Sequence, residues 1–112
     1  MTNLLSKLIG EKKEYQEYQN EINQLPKDYS TMMKALESYM WNYAKGDGFM
    51  KVLRAVLEMF QESASENVPI NLVIGKDPVA FADKIMAEYP DDLWISKQRQ
   101  KLTDQYKKIL KS

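Results

Sequence analysis

Residues 24–29 read Gln24-Leu25-Pro26-Lys27-Asp28-Tyr29, and this stretch divides two long helical patterns. Pro26 has no N–H to give to the preceding helix and disfavours helical geometry at Leu25, so the first run ends there. Proline followed by an early Asp suits the first turn of a new helix. A helical hairpin is the expected outcome.

Upstream of the break, Leu4, Leu8, Glu11, Tyr15, Tyr18, Ile22 and Leu25 recur at alternating steps of four and three, a heptad seam with one acidic member. Downstream, Tyr29, Met32, Met33, Leu36, Met40 and Tyr43 fall within a narrow arc at helical spacing. Gly46 supplies a left-handed stop, and Asp47 is placed to cap the next helix.

From Gly48 to about Glu66 the apolar positions Phe49, Val52, Leu53, Val56, Leu57, Met59, Phe60 and Ala64 cover more than half the helix circumference. A helix apolar on that many sides belongs at the centre of the fold. Its polar stripe holds Arg54 and Glu58 four residues apart, a surface pair of small energetic weight. Residues 67–76, with Pro69 near one end and Gly75 near the other, predict a short extended connection burying Ile70, Leu72 or Ile74. A strand at 70–74 would find no pairing partner within the chain and would need a second copy.

Asp77-Pro78 is a cap followed by a first-turn proline, opening a helix that buries Phe81, Ala82, Ile85, Met86 and Tyr89 and stops before Pro90. Asp91 and Asp92 then start a last helix with Ile95, Leu102, Tyr106 and Ile109 on one side, Trp94 at the margin, and a basic face of Lys97, Lys101, Lys107, Lys108 and Lys111. The fold class is therefore all-α: one domain over residues 1–112, a compact bundle of about five helices, with an N-terminal hairpin, a central third helix and the last two packed across it.

Composition narrows the function. The chain has 112 residues with no Cys and no His, which excludes disulfides, thiolate and imidazole metal ligands, Cys nucleophiles and His-dependent triads. Gly46-Asp47-Gly48 lacks the spacing of a phosphate loop and the further oxygen ligands of a calcium loop, so a helix corner accounts for it. Carboxylate pairs such as Glu58 with Glu62, or Asp91 with Asp92, are ordinary on solvated helix faces. No enzymatic activity and no cofactor is expected.

Sixteen basic residues balance sixteen acidic ones, but unevenly: residues 58–92 carry net −6 and residues 93–112 net +5. The two patches would face each other across the fold or a dimer, or lie on solvated helix faces. Trp41 stands about 120° from the Tyr29–Tyr43 stripe, either covered by a second neighbour or free as an aromatic anchor. Tyr39, Trp41 and Trp94 are accordingly the candidate partner-binding residues, since Trp and Tyr dominate interface hot spots.

The stretches Leu25-Pro26-Lys27-Asp28-Tyr29, Tyr39-Met40-Trp41, Gly46-Asp47-Gly48, Glu11-Lys12-Lys13-Glu14-Tyr15 and Val73-Ile74-Gly75-Lys76-Asp77-Pro78-Val79-Ala80-Phe81 together resemble a family of short bacterial proteins, domain of unknown function 1048 (DUF1048). The likeness spans nearly the whole chain. It implies an all-helical fold in a bacterial protein and supplies no catalytic residues.

The expected function is a non-enzymatic protein-interaction or regulatory accessory module that self-associates as a homodimer and has an unidentified protein partner. The alternative is a nucleic-acid or membrane-surface binder acting through the basic last helix; nucleic acid is disfavoured because no aromatics are interleaved with the lysines. No spanning segment or leader is legible, and the expected location is cytoplasmic.

Overall fold

The computed structural model describes residues 4–44, 48–89 and 94–111, the side chains at 4–9, 11, 43, 44 and 94–96 excepted. Six helices are present among these residues: α1 (Leu4–Gln24), α2 (Lys27–Ala44), α3 (Phe49–Ser65), α4 (Ile70–Ile74), α5 (Pro78–Ala87) and α6 (Trp94–Lys111). No strand occurs among them, and the protein is an all-α bundle.

The hairpin forms at the expected break. Leu25 N–H still donates back to the Ile22 carbonyl at 3.1 Å, whereas the Pro26 carbonyl accepts from Ser30 N–H at 2.9 Å and so belongs to the start of α2. On α2, Tyr29, Met33, Leu36 and Met40 are buried; on α1, Tyr18 and Ile22 are. The seam and stripe positions Leu4, Leu8, Glu11 and Tyr43 lie outside the described side chains.

Six α3 residues, Phe49, Val52, Leu53, Val56, Leu57 and Phe60, are buried, the largest share any helix gives to the core among the described residues. The expectation of a deeply buried third helix holds, and α2 completes the centre by packing on α1, α3, α5 and α6. Gly48 occupies the N-cap position of α3 without a side-chain cap; Gly46 and Asp47, expected to stop and cap there, lie outside the described residues.

The α3 terminus is a Schellman turn. Asn67 takes a positive φ of 59°, its N–H donating to the Ala64 carbonyl and the Val68 N–H to that of Ser63, each at 3.0 Å. Asn tolerates this left-handed geometry better than most non-glycine residues.

Residues 70–74 correct the expectation of an extended connection: they form the single-turn helix α4. An unpaired strand would leave its backbone groups without partners, whereas here Leu72 N–H reaches the Pro69 carbonyl and Gly75 N–H that of Asn71, both at 3.0 Å. Ile70, Val73 and Ile74 pack against the core while Leu72 is exposed. Gly75, at φ 82°, provides the left-handed exit from this turn.

α5 begins as its sequence predicts. One carboxylate oxygen of Asp77 accepts from Val79 N–H at 3.0 Å and Ala80 N–H at 3.1 Å, with Pro78 in the first turn. Ala82, Ile85 and Met86 are buried, and the Phe81 ring stacks on Phe60 at 6.4 Å.

α6 departs from the expected packing. It lies beside α2 rather than across α3, and every described side chain from Lys97 to Lys111 is exposed. The radius of gyration is 17.1 Å, against about 13 Å for a globular chain of this length. α6 lies outside the core, as do the exposed α1 residues 12–17.

Candidate interaction surfaces

The Trp41 surface is built where α1, α2 and α3 diverge. The four-residue step from Glu37 to Trp41 puts both on one side of α2, away from its buried stripe. Trp41 is 54% exposed, so a neighbouring helix covers only part of it. Its ring leans on Phe49 at 5.3 Å and 60° across the α2–α3 corner. Around them lies a cavity of about 580 Å³ lined by Tyr15, Glu37, Ser38, Trp41, Asn42, Phe49, Met50 and Leu53.

Polar groups hold one wall in place. The Tyr15 hydroxyl donates to Glu37 Oε2 at 3.2 Å, and Gln19 Nε2 donates to the Tyr15 oxygen at 2.9 Å and to Glu37 Oε1 at 3.4 Å. Asn42 Nδ2 donates to the Ser38 carbonyl at 3.0 Å. Burial, then the Glu37 charge, holds the Tyr15 phenol above its usual range. Behind it, the Tyr18 ring sits 5.9 Å from that of Tyr15. Its hydroxyl is buried without a hydrogen-bond partner among the described residues. Burial first and the Glu37 carboxylate second push the Tyr18 phenol far up.

The other predicted anchors behave differently. Tyr39 is partly buried against the core, and its hydroxyl donates to Asp83 Oδ1 at 2.9 Å, so it ties α2 to α5. Trp94 opens α6, and its side chain lies outside the described residues. Arg54 pairs with Glu21 of α1 rather than with Glu58, and also lies 5.9 Å from the Tyr18 ring centroid. Gln61 adds a bond to Glu21 at 3.3 Å. Beside this pair the Glu21 carboxyl is held below its ordinary range, chiefly by its hydrogen bond from Arg54.

On α6, Lys97, Lys101, Lys107, Lys108 and Lys111 share one face, as their spacing requires. Opposite them, Leu102, Tyr106, Ile109 and Leu110 form an apolar arc that is 61–73% exposed. Leu110 was not singled out by the sequence pattern. A second groove, of about 570 Å³, opens between α3, α4 and α5, lined by the apolar Met59, Val73, Ile74, Ala80, Phe81 and Ile85 and by two acidic and two basic side chains, Asp77, Glu88, Lys76 and Lys84.

Sequence reasoning found Trp41, with Glu37 on the same side of its helix, but not their companions Tyr15 and Phe49. The step from Glu37 to Trp41 was the available signal; bringing Tyr15 and Phe49 to it depends on how three helices cross. No cluster of three acidic residues among the described residues is placed to hold a metal ion. No helix among them is long and apolar enough to cross a membrane.

A family model described as a protein of unknown function, DUF1048, matches residues 6–107. No curated protein matches the chain.

Proposed function

The chain belongs to the DUF1048 family, and from that premise we propose that it is a non-enzymatic interaction module working as a homodimer, with α6 the element each copy lays on the other. The observation that carries this reading is the exposed arc of Leu102, Tyr106, Ile109 and Leu110. Contiguous apolar surface of this kind on a soluble helix marks an interface.

Charge favours a second copy as the occupant. α6 and its flanks carry net +5 and residues 58–92 net −6, so two copies attract each other through unlike patches. The groove lined by Met59, Phe81 and Ile85 offers apolar surface to that arc, and its own charges balance, Asp77 and Glu88 against Lys76 and Lys84. The absence of His and Cys supports a role in binding rather than catalysis, and the Cys-free composition suits the reducing cytoplasm.

Sedimentation equilibrium tests the reading. The wild-type chain should give twice its 13.1 kDa monomer mass, and the double substitution Leu102→Lys with Ile109→Lys should return a folded monomer. A wild-type monomer throughout the micromolar range overturns it. If that monomer binds anionic vesicles or duplex DNA with steep salt dependence, the basic face of α6 is a phosphate-binding surface instead.

A further inference from the structure

The cavity beside Trp41 has walls of a particular chemistry. Trp41, Phe49 and Tyr15 present aromatic rings, Leu53 and Met50 add apolar surface, and Glu37 is the one charged side chain among the described lining residues. Its volume of about 580 Å³ falls in the range of small-molecule sites, about 300–1,000 Å³.

We propose that this cavity binds a small organic cation, an alkylated or benzylic ammonium whose apolar body lies against Trp41 and Phe49 and whose charge faces Glu37. An anion would be repelled by Glu37, since none of the described lining residues is basic. A neutral apolar molecule would desolvate the carboxylate and return no charge to it. A bare metal ion would leave the aromatic surface wet and most of the volume unused. An organic ammonium satisfies both wall types, because aromatic faces attract cations through their quadrupoles and a carboxylate attracts them through its charge.

Two further features support this assignment. Glu37 is fixed before any ligand arrives, by the Tyr15 hydroxyl on one oxygen and Gln19 on the other; an ionised carboxylate keeps lone pairs for an additional donor or cation. Trp41 is half exposed, so a ligand would cover aromatic surface that the fold leaves in water. The site is separate from the apolar arc of α6 and does not depend on dimerisation.

The test uses the full chain carrying Trp94→Phe, so that Trp41 alone reports. Benzyltrimethylammonium is titrated at constant ionic strength, beside benzyl alcohol as the neutral control and benzenesulfonate as the anionic one. The expected result is a saturable change in Trp41 emission with the ammonium only. Glu37→Gln should weaken it by about tenfold, equivalent to about 1.4 kcal/mol, and calorimetry on Trp41→Leu should show a comparable loss. The monomeric Leu102→Lys, Ile109→Lys variant should bind as the wild type does, which separates this site from the dimer. Equal response to benzyl alcohol or benzenesulfonate, no saturation by the ammonium, or undiminished binding in a folded Glu37→Gln protein overturns the proposal. Should Glu37→Gln fail to fold, the comparison of the three probes on the unaltered cavity decides it.

Discussion

The Tyr29 hydroxyl donates to the Val68 carbonyl at 2.6 Å, across 39 positions of sequence. Tyr29 stands in the first turns of α2, and Val68 closes the Schellman turn that ends α3. The same ring meets Phe60 edge-on at 5.4 Å. One side chain therefore joins the hairpin to the α3–α4 corner through both packing and a hydrogen bond. Tyr29→Phe keeps the ring and removes the bond, and should cost about 0.5–1.5 kcal/mol. Urea unfolding followed by circular dichroism measures this; an unchanged midpoint would show that the bond adds nothing.

Tyr18 presents the opposite case. Its side chain is fully buried and its hydroxyl has no partner among the described residues, so folding strips water from a polar group that they do not satisfy. Tyr18→Phe should leave stability at neutral pH unchanged or raise it by up to about 1 kcal/mol. The pH dependence follows from the raised phenol. The folded state keeps the proton after the unfolded state begins to lose it near the ordinary value of about 10. Stability therefore falls as pH rises through and beyond that value. Thermal melts from pH 8 to 11 should show a shallower alkaline decline for Tyr18→Phe than for wild type. Parallel declines would mean that Tyr18 titrates as an ordinary phenol.

Asp77 is the described N-cap whose side chain accepts from its own helix, bonding two backbone N–H groups of α5. Asp77→Ala should cost about 0.5–2 kcal/mol, while Asp77→Asn, which keeps an accepting oxygen, should cost much less. Denaturant midpoints of the two variants provide the comparison. Equal losses from both would point to the charge rather than to the cap.

These local features explain how much of the molecule was legible. Pro26, Asp77-Pro78 and the Tyr29–Met40 stripe act within a few residues of themselves, so sequence alone located the helices they govern. α4 was misread because a run of Ile, Leu and Val between Pro69 and Gly75 has strand composition, and only the lack of a pairing edge makes one helical turn the better solution. α6 was misread because periodicity reports an apolar side but not whether anything covers it; α5 and α3 already close the core. At the candidate site, Trp41 was legible from its angle on α2. Tyr15 and Phe49 reach it only through the crossing of α1, α2 and α3, which no local pattern encodes.

The Glu21–Arg54 pair joins α1 to α3 and gives the protein an acid-sensitive contact. The depressed Glu21 carboxyl fixes the sign: its contribution is complete above the ordinary glutamate value of about 4.3, and is lost as pH falls through the lower value it holds in the fold. Both partners are about one-third exposed, so solvent limits the contribution to below about 1 kcal/mol. Glu21→Gln should leave the neutral melting temperature nearly unchanged and flatten its decline between pH 5 and about pH 3. Identical acid limbs for the two proteins would assign that decline to other carboxylates.

Removing residues 97–112 separates the two roles available to α6. All described side chains from Lys97 to Lys111 are exposed, and none belongs to the buried core. If α6 serves the partner copy, the shortened chain keeps its folded core but no longer shares in the dimer. Association linked to folding makes the wild-type melting temperature rise with protein concentration. The shortened chain should melt at one temperature at every concentration, near that of the dilute wild type. A wild-type melting temperature already independent of concentration would place α6 outside any dimer interface. A shortened chain that fails to fold would make its contact with α2 an essential part of the core.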